Sequence, residues 1–180
     1  MPKLPKLLMA GLLPLFWGCS SAPIHYHTLV PAQPGQGAAS GVRVERVSLP
    51  PQVDRSQIVV RQGGSGLAIL ETEWWGANLV DEFHNALQDQ LGGPPGAAPR
   101  AVLRVEVQRF DSVPGRYALL DATWRLKRAG GQGELSCHTT VQTPAQNSVE
   151  SLVSAHQANL HQLATAIAQT AAGQGRCPAP

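Results

Sequence analysis

No stretch of this chain is long and apolar enough to span a bilayer. Its longest apolar run, Leu7 to Trp17, is interrupted by Pro14 and holds about eleven residues, against the ~20 that a spanning helix needs. An excess of charge of one sign is missing too: 14 Lys and Arg stand against 12 Asp and Glu. The basic residues alternate with acids, as in Arg43-Val44-Glu45-Arg46 and Arg104-Val105-Glu106. Alternation of this kind belongs to solvated strand faces and excludes a nucleic-acid surface, which needs clustered cations. Cysteine is scarce, with three in 180 residues. A chain of this length buries an adequate core without metals or several disulfides, so it needs no staple to fold.

Catalytic and ligand-binding signatures are equally thin. No glycine loop is followed by Lys-Ser/Thr, and Gly63-Gly64-Ser65-Gly66 opens no helix, so it reads as a turn rather than a phosphate cradle. The same run fails as a nucleophile elbow at Leu67, where a glycine is required. His156 and His161 are five apart and point to different faces of a helix, which excludes a zinc pair. His156 falls in an apolar stripe, where a hydrogen-bonded core histidine is expected. His25 and His27 share one side of an extended segment and could grip a metal, but no further ligands stand nearby in sequence, and solvent exposure is the better account. A hydrolase would need Ser112 brought to a distant histidine, and no spacing argues for it. The reading is therefore no catalytic residue, no metal and no cofactor.

What is present begins with a basic start (Lys3, Lys6), the short apolar run and Gly18-Cys19, which together spell a bacterial lipoprotein signal. Residues 1–18 are expected to be removed, with Cys19 lipidated and made the first residue. Ser20 stands where an aspartate would retain the protein at the inner membrane, so the periplasmic face of the outer membrane is expected. Loss of Lys3 and Lys6 brings the formal charge from +2 to 0.

Residues 19–41 read as the lipidated cysteine and a tether or loop, since Pro31 to Gly41 has no periodicity. Tyr26 and Leu29 precede that spacer; if they pack on the body, the spacer is a surface loop. A single domain is expected over 42–172, with a flexible tail over 173–180. Val42 to Val47, Ile58 to Arg61 and Leu67 to Leu70 read as strands. Trp75, Leu79, Phe83, Leu87 and Leu91 recur at helical spacing and are ended by Gly92-Gly93-Pro94-Pro95. Alternating segments around Leu103, Leu120 and Cys137, separated by Pro114-Gly115 and Gly130-Gly131-Gln132-Gly133, form a strand meander. The stripe from Val149 to Ala171 is a second helix, with Asn147 and Glu150 placed as a capping pair. This order implies an α/β sandwich: one mixed sheet of about five strands with two packed helices.

With Cys19 set aside, Cys137 and Cys177 remain in an oxidising compartment. Either they pair, or Cys137 is a buried thiol and Cys177 a free tail thiol, because a long helix between them can carry the tail more than ~20 Å away.

An ordered set of fragments now resembles a known family across nearly all of the mature chain. These are Tyr26 with Leu29 after the cysteine; Val44 to Pro50 with Asp54-Arg55-Ser56-Gln57-Ile58-Val59; Trp74-Trp75-Gly76-Ala77-Asn78-Leu79; Leu103-Arg104-Val105-Glu106-Val107 with Phe110; Trp124-Arg125-Leu126; and Leu160 to Ala168. The chain is similar to the auxiliary lipoproteins of MCE-type and ABC-type lipid transport systems, the family of paraquat-inducible protein C. The resemblance implies a fold like the amino-terminal domain of TolB. It also implies a non-catalytic subunit on the outer membrane whose partners are an MCE-domain protein and an ABC transporter, in phospholipid or hydrophobic-molecule traffic. Direct lipid contact and a homo-oligomer stay open, and an envelope scaffold or outer-membrane assembly lipoprotein is the alternative. Function would then lie in surfaces. Trp74 and Trp75 are the first candidates, because two adjacent indoles cannot both face one core unless both pack at the helix start. Asp54 and Arg55 are the second, with a turn or loop-fixing salt bridge as their plainer role.

Overall fold

Alternating apolar residues build the central sheet, because successive side chains on a strand point to opposite faces. Ala101, Leu103, Val105 and Val107 are buried on one strand, and Ala118, Leu120, Ala122, Trp124 and Leu126 on the next. The computed structural model describes residues 21–32, 40–93, 96–131, 133–173 and 176–177. Cys19 and the signal segment 1–18 lie outside the described residues, as does most of the spacer before Val42.

In chain order the elements are β1 (His25–His27), β2 (Val42–Ser48), β3 (Gln57–Gln62), β4 (Gly66–Trp75), α1 (Leu79–Leu91), β5 (Ala101–Val113), β6 (Tyr117–Arg128), β7 (Leu135–Pro144) and α2 (Val149–Ala172). The mixed α/β class and the two packed helices are as expected, but the described strands form two sheets rather than one of about five. A four-stranded sheet runs β2-β5-β6-β7, with β2 parallel to β5 and the rest antiparallel. A three-stranded sheet runs β1-β4-β3, with β1 parallel and β3 antiparallel to β4. β1, the outer partner of β4, was not expected as a strand because its three largely polar residues are too few to show a strand period.

Both helices cover the apolar face of the larger sheet, α1 lying against β2 and α2 against β6 and β7. Their stripes, Leu79, Phe83, Ala86, Leu87 and Leu91 on α1 and Leu152, Leu160, Leu163, Ala164 and Ile167 on α2, join the strand residues in one core. The Pro114-Gly115 turn between β5 and β6 places Gly115 at φ +72°, a left-handed conformation that a side chain resists. Gly63 similarly holds φ +60° at the tip of the β3-β4 hairpin, so the glycine run there serves a turn.

Helix ends differ from the sequence expectation. α1 starts only after Asn78, whose carbonyl accepts from the amides of Asp81 and Glu82, and Trp75 is the last residue of β4. Trp75 matched the helical phase because it points into the same core as Leu79, not because it shares the helix. At α2 the cap is Ser148, whose hydroxyl accepts from the Ser151 amide at 3.2 Å, while the Ser151 hydroxyl accepts from the Gln146 amide at 2.8 Å. This is a reciprocal cap built from serines, one position away from the Asn147 and Glu150 pair.

Candidate functional site

Strand alternation separates the two indoles. Trp75 is 3% exposed and meets Phe110 edge-on in the core, with ring centroids 6.4 Å apart. Trp74 turns to the opposite side of β4, half-buried, and donates from Nε1 to the Glu71 carbonyl at 3.0 Å. Its ring packs edge-on against Tyr26, its register partner on β1, at 6.4 Å. The aromatic pair thus lies on the small sheet, several residues before the helix rather than at its entry. Asp54 and Arg55 occupy the turn between β2 and β3: the Asp54 amide donates to Pro50 O at 3.2 Å, and Arg55 O accepts from the Leu79 amide at 3.3 Å. Arg55 therefore satisfies a free amide at the start of α1, a structural task done by its backbone. The structure does not bring this turn's side chains into one constellation with the Tyr26 and Trp74 pair.

The segment carrying Tyr26 is fastened at several points. His25 Nδ1 and His27 Nε2 donate to separate oxygens of Glu73, at 3.0 and 2.6 Å. The hydrogen bond from His27, the largest cause, holds the Glu73 carboxyl below its ordinary range. A second, buried carboxylate, Glu82, accepts from the Thr28 hydroxyl at 2.8 Å and from the Leu29 amide at 2.9 Å. His27 O accepts from the Gly76 amide at 2.8 Å, Thr28 O accepts from Gln157, and Leu29 is fully buried. Residues 25–29 therefore belong to the fold, which is the case in which Tyr26 and Leu29 pack on the body ahead of the spacer. His25 and His27 do share one side, as their spacing suggested. Each takes its own oxygen of a single carboxylate, and no set of three or more His, Cys, Asp and Glu among the described residues is placed to hold a metal ion. Glu73 and Glu82 escaped the sequence reading because they lie more than forty residues from the groups they hold.

The structure also joins a serine and a histidine that sequence spacing left apart. Ser112 Oγ and His156 Nε2 share a hydrogen bond of 2.9 Å across 44 residues, at 2% and 1% exposure. His156 stacks on Phe110 with centroids 3.8 Å apart, and its Nδ1 has no partner. Burial pushes the imidazole down to about 3, and the nearby Asp111 charge restores only part of the shift. Asp111 is engaged by Arg61 at 2.8 Å and by Arg109 at 2.6 Å, so it does not orient the ring. A base this weak, sealed from solvent and lacking an orienting carboxylate, is ill-suited to activating a nucleophile.

Cys137 and Cys177 are bonded, with Cα atoms 5.5 Å apart. The long helix does not carry the tail away, because α2 runs back across the sheet and ends where β6 finishes. There Arg128 donates to Thr170 O at 2.8 Å and to Gly173 O. On the outer side of the larger sheet, Glu45, Arg46, Arg104, Glu106, Thr123 and Arg125 line a shallow groove of about 660 Å³. Arg104 and Glu45 pair within it, so the charges largely compensate one another.

Residues 27–168 match the family model described as the ABC-type transport auxiliary lipoprotein component. The chain belongs to that family. The match starts within β1 and ends in α2, so it spans both sheets and both helices of the auxiliary lipoprotein fold. Two solved structures share the fold. One, of an uncharacterized protein, has a TM-score of 0.67 at 16% identity, covering 82% of this chain and 98% of its own. The other, of a protein from Xanthomonas campestris, has a TM-score of 0.62 at 20% identity, covering 83% and 95%. No curated protein matches the chain.

Proposed function

We propose that this auxiliary lipoprotein is a non-catalytic docking subunit, anchored through Cys19 to the periplasmic face of the outer membrane. In this reading it serves an inner-membrane ABC transporter and an MCE-domain protein that move phospholipid or other hydrophobic molecules between the membranes. The observation that carries it is the family match over 27–168, preceded directly by the Gly18-Cys19 lipoprotein signal. Burial of the Ser112 and His156 pair supports a role in binding rather than chemistry. Kinship with the amino-terminal domain of TolB is part of the same reading.

Metabolic labelling with a fatty-acid analogue tests the anchor, and co-purification tests the partner. Wild-type protein is expected to take up label, to fractionate with the outer membrane and to recover an MCE-domain protein. Cys19→Ser is expected to take up none, because the thiol is the proposed acyl acceptor. An unlabelled, freely fractionating wild type rejects the anchor. Recovery of outer-membrane assembly machinery in place of an MCE-domain protein turns the assignment to an envelope scaffold.

A further inference from the structure

Among the described residues, exposed apolar groups gather just before and on β1, beside its partner strand. Ile24 is 45% exposed and Tyr26 65%, and Tyr26 leans on the half-buried Trp74 of β4. Elsewhere the exposed large hydrophobics among the described residues are Leu67 and Ile69, near the β3-β4 hairpin tip. Two facts say what covers the first patch. The acyl acceptor Cys19 is only five residues from Ile24, a span of at most about 18 Å even when fully extended. And β1 is not free to drift from the body, because Glu73, Glu82 and the Gly76 amide all hold residues 25–29. An anchor on so short a leash, joined to a strand stitched into a sheet, keeps this edge of the protein at the bilayer surface.

We propose that Ile24, Tyr26 and Trp74 form a membrane-resting face, seated in the headgroup region of the bilayer that carries the anchor. The chemistry suits that position: Tyr and Trp combine an apolar ring with one polar atom and favour the boundary between acyl chains and water. Trp74 already satisfies its indole N–H on Glu71 O, so its ring enters an apolar layer with no unpaired donor. The Glu73 clamp then has a purpose beyond stability, as it transmits the position of the anchor to the small sheet and fixes which side of the molecule faces the periplasm. The inference rests on acylation of Cys19, part of the proposed function.

The test reconstitutes the purified, processed protein in phosphatidylethanolamine and phosphatidylglycerol vesicles, with or without bromine atoms on the upper acyl chain. Intact mass first reports whether Cys19 is acylated. Trp17 lies in the removed segment, and Trp75 and Trp124 are sealed in the core at 3% and 0% exposure, so Trp74 is the indole within reach of the quencher. Emission is expected to shift to the blue on vesicle binding and to fall in brominated vesicles, with the fall absent in Trp74→Phe. In the Ile24→Ser, Tyr26→Ser double variant, which keeps Trp74 and removes only exposed groups, the quenching is expected to shrink. Equal emission in plain and brominated vesicles from a protein shown to be acylated overturns the membrane face and leaves the anchor standing. A mass without acyl chains overturns both.

Discussion

At the scale of single residues, the most consequential side chain is His156, because it is polar, central and held neutral. An unfolded histidine titrates near 6.5, whereas burial brings His156 down to about 3. Between those values the unfolded chain holds a proton that the folded chain excludes. Its contribution is therefore fully present above 6.5 and is lost as the pH falls through that window. At pH ~5 the loss reaches about 2 kcal/mol. The double variant His156→Phe, Ser112→Ala removes both polar partners together and leaves neither unpaired. Urea unfolding at neutral pH and at pH ~5 is expected to show a drop smaller by about 2 kcal/mol in this variant than in the wild type. Equal drops would mean that His156 is protonated in the fold. That His156 sits inside the stripe of α2 was legible from spacing alone. Its bond to Ser112 was not, because a stripe records which residues are buried without naming what they meet.

At the scale of elements, the meander β5-β6-β7 and helix α2 were legible because each carries its own period over many residues and is bounded by turn or cap chemistry. β1 has three residues, and β4 ends in two tryptophans whose spacing to Leu79 fits either a strand or a helix. Their assignment was settled by where Glu73, Tyr26 and Phe110 happen to lie. The disulfide belongs to the same scale, as it ties Cys177, beyond the end of α2, to Cys137 near the start of β7 across a separation of 40 residues. Closing a loop of that size in the unfolded chain contributes about 3 to 4 kcal/mol by the loop-entropy model. Cys137→Ala with Cys177→Ala is expected to lower unfolding free energy by that amount, read by urea titration against the oxidised wild type. An unchanged midpoint would show that the tail is held by the Arg128 hydrogen bonds rather than by the bridge.

For the whole molecule, both sheets and both helices contribute to one continuous core, from Leu29 ahead of the spacer to Ala168 near the end of α2. A single core predicts a single cooperative transition, with near- and far-ultraviolet signals melting together. That core is built from the chain's own side chains, so the unacylated protein, expressed without residues 1–18, is expected to melt within a few degrees of the protein carrying the proposed Cys19 anchor in detergent. Separate transitions for the two spectral regions would instead make the small sheet an independent unit. The outer face of the larger sheet carries the Arg104 and Glu45 pair, while Ile24 and Tyr26 are exposed at the edge beside and on β1.

What this sequence determined by itself is local. The α/β class, the half-buried strands around Leu103 and Leu120 and the two helical stripes all follow from residues within a turn or a strand of one another, where period and capping act directly. The ordered fragments from Tyr26 to Ala168 carried the family likeness in the same way. Only the tertiary structure decided which indole faces inward, that Glu73 and Glu82 seize the segment before the spacer, that Ser112 meets His156, and that Cys177 returns to Cys137. These pairings join groups 40 to 54 residues apart. No period within one element encodes them, because each depends on how separately formed elements dock to bury their apolar faces together.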